Sequence, residues 1–266
     1  MFQDPTTIKR IKIVIAYLVL IGLIALAIYL IKSPASTCSD KMQNQGEKGI
    51  DCGGPCAPCK DVGQTKDIFV QEVAFVSGGN DTYDVVAKIF NPNDSAGAEF
   101  FKYVFTLKDS VGTTIATKEG TSFILPADTR YVAQLGLTTA NNTVPANASI
   151  TISNVQWGKL SGIGKPQLGI YSKKFSATPV GGGSEAEGTI RNESGYDLKK
   201  IDVVIVIRDE KENVVGVNTT QRDSERAKEE QTFKVTWPYS LGENIQKMEV
   251  DPQINIFDSQ NFSVAQ

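Results

Sequence analysis

The chain has 266 residues, of which 41% are hydrophobic, so it can bury the core of one large or two ordinary domains. Its net charge of −3 and its pI near 5.2 argue against nucleic-acid binding, which needs a clustered basic surface. The absence of histidine from the sequence removes the commonest general base, the histidine-dependent nucleophile systems and most zinc sites. We therefore expect a protein that is not an enzyme and that binds no nucleic acid.

The first predicted element is a transmembrane helix over residues 13–31. This segment reads IVIAYLVLIGLIALAIYLI, and at about 1.5 Å per residue it would rise roughly 28 Å, close to the thickness of a bilayer core. Lys9, Arg10 and Lys12 precede it, so the positive-inside rule predicts a cytoplasmic N-terminus over residues 1–12. We expect a single-pass protein of the cell membrane with its other domains outside the cytoplasm. A cleaved signal peptide is the alternative, although its apolar region usually has about 7–15 residues.

A small cysteine-rich module is predicted next, over residues 32–62. It contains all four cysteines of the chain, Cys38, Cys52, Cys56 and Cys59. In an oxidising compartment, an even number of cysteines in a segment too short for its own core predicts two disulfides, and the sequence leaves their connectivity open. The alternatives are a four-thiolate zinc site, which needs reduced thiols, and a redox-active pair at Cys56 and Cys59, which lacks a βαβ setting.

Oxygen-bearing side chains in this module also make calcium a candidate cofactor. Gly46 and Gly49 permit sharp turns between the candidate ligands, as calcium loops require. The other interpretation is that these side chains are turn residues that face water. The candidate ligands are Asp40, Asn44, Glu47 and Asp51.

The cysteine segment, CSDKMQNQGEKGIDCGGPCAPC over residues 38–59, resembles a short motif of bacterial and archaeal surface proteins, where it often lies beside a membrane anchor. The resemblance implies an extracellular location and no known activity.

The remaining chain predicts two all-β domains, over residues 63–160 and 161–266. Short strand patterns alternate with turn clusters, and no long amphipathic helix is predicted. The second domain repeats the pattern of the first, which indicates a duplication and two tandem immunoglobulin-like β-sandwiches. The corresponding segments are 68–76 and 169–177, 84–94 and 186–195, 104–115 and 204–215, 131–137 and 233–237, and 150–152 and 248–250.

Several residues of the repeats have predicted structural roles. Asp109 and Asp209 begin hairpin turns, and Asn91 and Asn192 close the strands before them. One strand of the second repeat is apolar on both faces, because Val204 and Val206 lie between inward-facing residues, so we expect it in the middle of the packing. We expect Trp157 and Trp237 in a core or between the domains. The short connection over residues 158–167 predicts a semi-fixed row of two domains.

Residues 188–216, followed by Phe233, resemble the FxLYD family of β-sandwich domains. The naming motif is degenerate in both repeats: residues 105–109 read FTLKD, with lysine where the family has tyrosine, and residues 205–209 read IVIRD. The resemblance implies a cell-surface sandwich without established catalytic residues.

Seven Asn-x-Ser/Thr sequons predict an N-glycosylated surface, as on an archaeal or eukaryotic cell. They also agree with a location outside the cytoplasm. The candidate asparagines are Asn80, Asn93, Asn141, Asn147, Asn192, Asn218 and Asn261.

These features together predict a non-enzymatic, membrane-anchored surface protein that presents two sandwiches to a protein or glycan partner. The alternative is a structural or accessory subunit of an envelope assembly such as a pilus, a secretion apparatus or a surface layer, with self-association through sheet edges. A hydrolase using Asp209 and Glu210 is a third hypothesis, but acidic residues on a hairpin turn are ordinarily solvated.

Overall fold

The structure is a computed structural model that describes residues 14–15, 17–22, 38, 46, 52–57, 63–160, 164–178, 182–242 and 244–264. The chain divides into two compact units, Met1–Cys59 and Lys60–Gln266.

The predictions of a transmembrane helix and of a single-pass membrane location are corrected by the first unit. Among the described residues, no helix is both long enough and apolar enough to cross a membrane. The residues shown as helical there are 14–15 and 17–22. The predicted cytoplasmic segment, residues 1–12, lies outside the described residues.

The cysteine segment contains a disulfide between Cys38 and Cys56, which confirms the prediction that it is stapled. Cys52 is disulfide-bonded as well. Gly53 and Gly54 lie between these cysteines with φ angles of 74° and 59°, in the left-handed region that glycine adopts without strain. Cys59 lies outside the described residues, as do the calcium candidates Asp40, Asn44, Glu47 and Asp51.

In its described residues, the second unit contains thirteen β-strands and two short 3-10 turns. The strands are β1 Phe69–Gly79, β2 Thr82–Phe90, β3 Gly97–Lys108, β4 Thr114–Ile124, β5 Thr129–Thr138, β6 Asn147–Gly158, β7 Leu168–Ala177, β8 Ser184–Asn192, β9 Tyr196–Asp209, β10 Val214–Glu225, β11 Glu230–Trp237, β12 Ile245–Gln253 and β13 Phe262–Val264.

The strands form four antiparallel sheets, in which the same topology occurs twice. Sheet β1-β2-β5 faces sheet β4-β3-β6 in the first sandwich. Sheet β7-β8-β11 faces sheet β10-β9-β12 in the second, and the short β13 extends that sheet by pairing with β9. Strands β1 to β6 of the first sandwich thus correspond, in the same order, to strands β7 to β12 of the second. The internal repeat in the sequence is therefore also a repeat of strand order.

Each sandwich has its own apolar core, made by the inward-facing residues of alternating strands. Phe101, Phe105 and Leu107 of β3 are fully buried in the first core. Ile205 and Ile207 of β9 take the corresponding place in the second. Trp237 is 2% exposed in the second core and donates its Nε1–H to the Val217 carbonyl, 3.0 Å away, whereas Trp157 is half-buried against the first core. Both tryptophans pack as predicted.

The two predicted hairpin turns are built by one pattern of hydrogen bonds. Asp109 Oδ1 accepts from the backbone N–H groups of Val111 and Thr113, at 3.0 and 2.8 Å. Asp209 Oδ1 accepts in the same way from Lys211 and Asn213, both at 2.9 Å. The structural role predicted for these aspartates is confirmed.

Asn91 and Asn192 form equivalent buried junctions between the sheets of their sandwiches. Both are fully buried. Asn91 Nδ2 donates to the carbonyls of Ala96 and Leu125, at 2.7 and 2.9 Å. Asn192 Nδ2 donates to two carbonyls at the corresponding places in the second repeat. The predicted turn role is confirmed, and each asparagine also ties two distant loops together.

Candidate functional site

The most distinctive site of the second unit is the interface between the two sandwiches. It contains a third apolar cluster, here called the inter-sandwich patch, formed by Val76, Val86, Tyr131, Val204, Val206 and Val217. Val204 and Val206 project from the face of β9 opposite to its core residues, so β9 is covered on both sides. This arrangement explains why the strand is apolar on both faces and shows that the sandwiches pack on each other directly.

Arg208, the residue after Ile207 on β9, joins the two sandwiches by polar contacts beside this patch. Its Nη1 and Nη2 donate to the two carboxylate oxygens of Glu72 on β1, at 2.9 and 2.6 Å. Its Nε donates to Glu249 at 2.7 Å, and its remaining two donors reach the Glu212 carbonyl and the Tyr131 hydroxyl. All five N–H donors are therefore used. The hydrogen bonds to Glu72 are the main cause of the raised pKa of Arg208.

Glu249 on β12 is the acidic centre of the same network. It accepts from the Tyr131 hydroxyl at 2.8 Å and lies 3.1 Å from Lys247 Nζ and 3.7 Å from Lys88 Nζ. Burial favours the neutral acid, but the hydrogen bonds from Tyr131, Arg208 and Lys247 outweigh burial and lower the pKa of Glu249 to about 2. The carboxylate is therefore ionised across the ordinary pH range, and the network holds the sandwiches together as ions.

A second polar cluster surrounds Arg130, the neighbour of Tyr131 on β5. Arg130 is 5% exposed, and its guanidinium donates to the carbonyl of Phe123 and to Gln253 of the second sandwich. Burial lowers the pKa of Arg130, an effect that the carboxylates around it oppose, beginning with Asp251. Gln253 Nε2 in turn donates to the Tyr131 carbonyl at 2.8 Å. These contacts fix β5 against β12.

The loop after β11 makes a third inter-sandwich contact. The Tyr239 hydroxyl donates to the Ser77 carbonyl at 2.8 Å, and its ring lies against Gly79. A Cβ on Gly79 would come within 2.9 Å of that ring, so the close approach requires glycine. Burial raises the pKa of Tyr239 to about 12.

An open cleft of about 420 Å³ lies where the two sandwiches diverge beside the inter-sandwich patch. Its lining combines β3, β4 and β5 of the first sandwich with β9, β10 and β12 of the second. Its polar lining residues include Thr121, Ser122, Asp202, Thr219, Thr220 and Gln221. Both repeats contribute, so neither sandwich alone forms this cleft.

The predicted glycosylation sites differ in accessibility. Asn80, Asn141 and Asn147 are exposed. Asn93, Asn218 and Asn261 are half-buried, and the Nδ2 of each donates to a backbone carbonyl. Asn192 is fully buried, and its Nδ2 donates to the Tyr196 carbonyl. Glycosylation at all seven sites stays a prediction.

The remaining site hypotheses concern metal and acid catalysis. Within the residues that the structure describes, no group of three or more acidic, cysteine or histidine residues is placed to hold a metal ion. The calcium candidates lie outside those residues and stay a prediction. Asp209, one of the two carboxylates in the hydrolase hypothesis, has a lowered pKa because Asn213 donates to it. That shift is opposite to the one a general acid needs.

Sequence reasoning missed the inter-sandwich network, whose members are far apart along the chain. One signal was available: Arg208 follows the apolar run VVIVI. A charged residue at the end of a strand that is apolar on both faces is expected to be buried, and a buried charge needs an oppositely charged partner. Its partners Glu72 and Glu249 have no comparable signal in the sequence.

No family model and no curated protein matches the chain. Among solved structures, it is similar to red sea bream transglutaminase, at 11% identity and a TM-score of 0.22 over 71% of this chain. It spans 29% of the length of that enzyme. It is also similar to the calcium-binding domain CBD12 of CALX1.1, at 12% identity and a TM-score of 0.20 over 68% of this chain and 79% of the other. Similarities this weak carry no argument about function, and the resemblance to FxLYD domains stays a prediction.

Proposed function

We propose that the protein is a non-enzymatic interaction module that binds a protein or a glycan through a surface to which both sandwiches contribute. The observation that carries this proposal is the interface itself. All five N–H groups of Arg208 donate hydrogen bonds, and their acceptors come from both repeats. Beside them lies an apolar patch that both repeats bury. Such an interface holds two domains at one mutual orientation.

A fixed orientation matters for binding because a surface shared by two domains is preorganised only when the domains do not move apart. Preorganisation increases affinity by reducing the conformational entropy that is lost on binding. The cleft between the sandwiches is such a shared surface, and a loose tether would not maintain its shape.

The test is binding of the full chain to arrays of purified oligosaccharides and purified proteins. We expect the wild-type protein to bind a member of one array, and Arg208→Met to weaken that binding. Arg191→Met, which breaks the exposed 3.7 Å pair with Glu230, is the matched control and should bind as the wild type does. Binding to no member, or equal binding by wild type and Arg208→Met, would contradict the proposal.

A second candidate, a subunit of a self-assembling structure, is favoured by the long edge strands. Within the described part of the chain, β4 and β6 each pair only with β3, so one edge of each strand is open. Open edges are templates for pairing with another copy. Sedimentation velocity of the full chain over a hundredfold concentration range tests this candidate, and a monomer at every concentration counts against it.

A further inference from the structure

We infer that the cleft between the two sandwiches is a binding site for a neutral oligosaccharide. The inference rests on the function proposed above and names the ligand class and the place. The cleft has a volume of about 420 Å³, within the range of small-ligand sites, roughly 300–1,000 Å³.

The chemical character of the cleft is set by how the sandwiches diverge along β9 and β10. These strands pair Val206 with Val217, then Val204 with Thr219, then Asp202 with Gln221. The first pair is buried in the inter-sandwich patch, and Val217 is 1% exposed. Thr219 and Gln221 are exposed. The same face therefore changes from an apolar contact to a polar wall as the two sheets separate.

Four serine and threonine residues, which carry side-chain hydroxyl groups, line this cleft. Thr121 and Ser122 of β4 lie on the first sandwich, and Thr219 and Thr220 of β10 on the second. In the part of the chain that the structure describes, none of these side-chain hydroxyls hydrogen-bonds to another protein group. Because a hydroxyl both donates and accepts, it can match a sugar hydroxyl in either direction.

The charges of the cleft favour a neutral ligand over an acidic one. Arg130 is the cationic side chain in its lining, but it is buried and its charge already interacts with Asp251, Asp128 and Asp202. Asp202 lines the cleft itself, its side chain is 50% exposed, and its Oδ1 lies 3.9 Å from Lys200 Nζ. A carboxylate or sulfate on the ligand would meet an arginine whose charge is already compensated by aspartates, and a carboxylate that already has Lys200 as its partner. A sugar diol, in contrast, can donate to the Asp202 carboxylate.

An extended peptide is the competing occupant, because β10 is an edge strand. Strand addition takes its specificity from pockets that receive alternate side chains of the peptide. The lining of this cleft mixes hydroxyl and amide groups with apolar side chains, and a sugar, which has both hydroxyl groups and apolar C–H faces, matches that mixture better.

The experiment measures binding of the full chain to immobilised neutral disaccharides to hexasaccharides built of glucose, mannose, galactose or N-acetylglucosamine, with sialylated and uronic-acid oligosaccharides alongside. We expect binding to a neutral member. The double substitution Thr121→Val and Thr219→Val keeps side-chain shape but removes two hydroxyls, and it should weaken binding about 30-fold. Thr117→Val, on an exposed residue of the same strand β4 outside the cleft lining, should leave affinity unchanged.

Asp202→Asn provides a readout that a purely structural role would not change. It should weaken binding of the neutral oligosaccharide and strengthen binding of the uronic-acid oligosaccharides, because it removes a repelling carboxylate. Thermal unfolding of each variant establishes that it is folded.

Three results would overturn the inference: tightest binding to acidic oligosaccharides, no difference between the double variant and Thr117→Val, or no binding to any oligosaccharide. If the chain binds a member of the protein array but no oligosaccharide, the glycan site is refuted while the proposed interaction module stands. Competition by an extended peptide that the double variant weakens would instead assign the cleft to strand addition.

Discussion

Arg208→Met should uncouple and destabilise the two sandwiches. The Arg208 side chain is 6% exposed, and its partners Glu249 and Glu72 are 17% and 35% exposed. Breaking a fully buried ion pair costs about 3–5 kcal/mol. In the Arg208→Met variant, the Glu249 carboxylate still has Lys247 and Lys88 beside it, and the Glu72 carboxylate becomes hydrated. We therefore expect a loss of about 2–3 kcal/mol in the free energy of unfolding.

Urea denaturation measures this loss without screening the ion pairs as guanidinium would. Each sandwich carries its own tryptophan, Trp157 in the first and Trp237 in the second. Variants that keep only one tryptophan, with phenylalanine in place of the other, therefore report each sandwich separately. We expect coincident transitions with Arg208 in place, because the interface couples the sandwiches, and separate midpoints in Arg208→Met.

Arg191→Met is the matched control for this experiment, since Arg191 and Glu230 are 44% and 55% exposed. An exposed pair contributes about 0–1 kcal/mol, so this variant should unfold almost as the wild type does. A loss in Arg208→Met no larger than in Arg191→Met, with coincident transitions in both, would refute the coupling role of Arg208.

Three further predictions concern acid stability, the buried junctions and the cysteines. Glu249 has a folded-state pKa of about 2, below its ordinary value of 4.5. Its contribution to stability is therefore present above pH 4.5 and is lost as the pH falls towards 2. The difference in urea midpoint between wild type and Glu249→Gln should be smaller at pH 2 than at pH 7. Asn91→Ala leaves two buried carbonyls without hydrogen-bond donors and should lower the free energy of unfolding by about 2–3 kcal/mol. Asn147→Ala, on an exposed residue, should change that free energy by no more than about 0.5 kcal/mol. Equal losses in thermal or urea unfolding would argue against the junction. Titration of the native chain with a thiol reagent should detect no free cysteine, and four reactive thiols would contradict the stapled segment.

Features that depend on neighbours in the sequence were predictable. The turns at Asp109 and Asp209 follow from short polar side chains that bond to backbone groups two and four residues ahead. The strands follow from alternation, and their recurrence in a second domain follows from the internal repeat. The cysteine spacing indicated a staple, which the Cys38–Cys56 disulfide confirms.

The transmembrane prediction failed where it relied on composition alone. An apolar run long enough to cross a bilayer shows what a helix could do, but among the described residues no helix has that length. A local motif such as the sequon at Asn192 carries no information about burial, and only the structure shows that this asparagine is fully buried.

The sequence by itself determined which face of each strand is apolar, where the chain turns and that one domain is repeated, because these depend on side-chain period and local hydrogen bonding. Only the tertiary structure decided that the two copies pack face to face, that Arg208 on β9 meets Glu72 on β1, and that a cleft opens beside them. Those contacts join residues more than one hundred positions apart, and they depend on the relative orientation of two sheets, which no local pattern specifies.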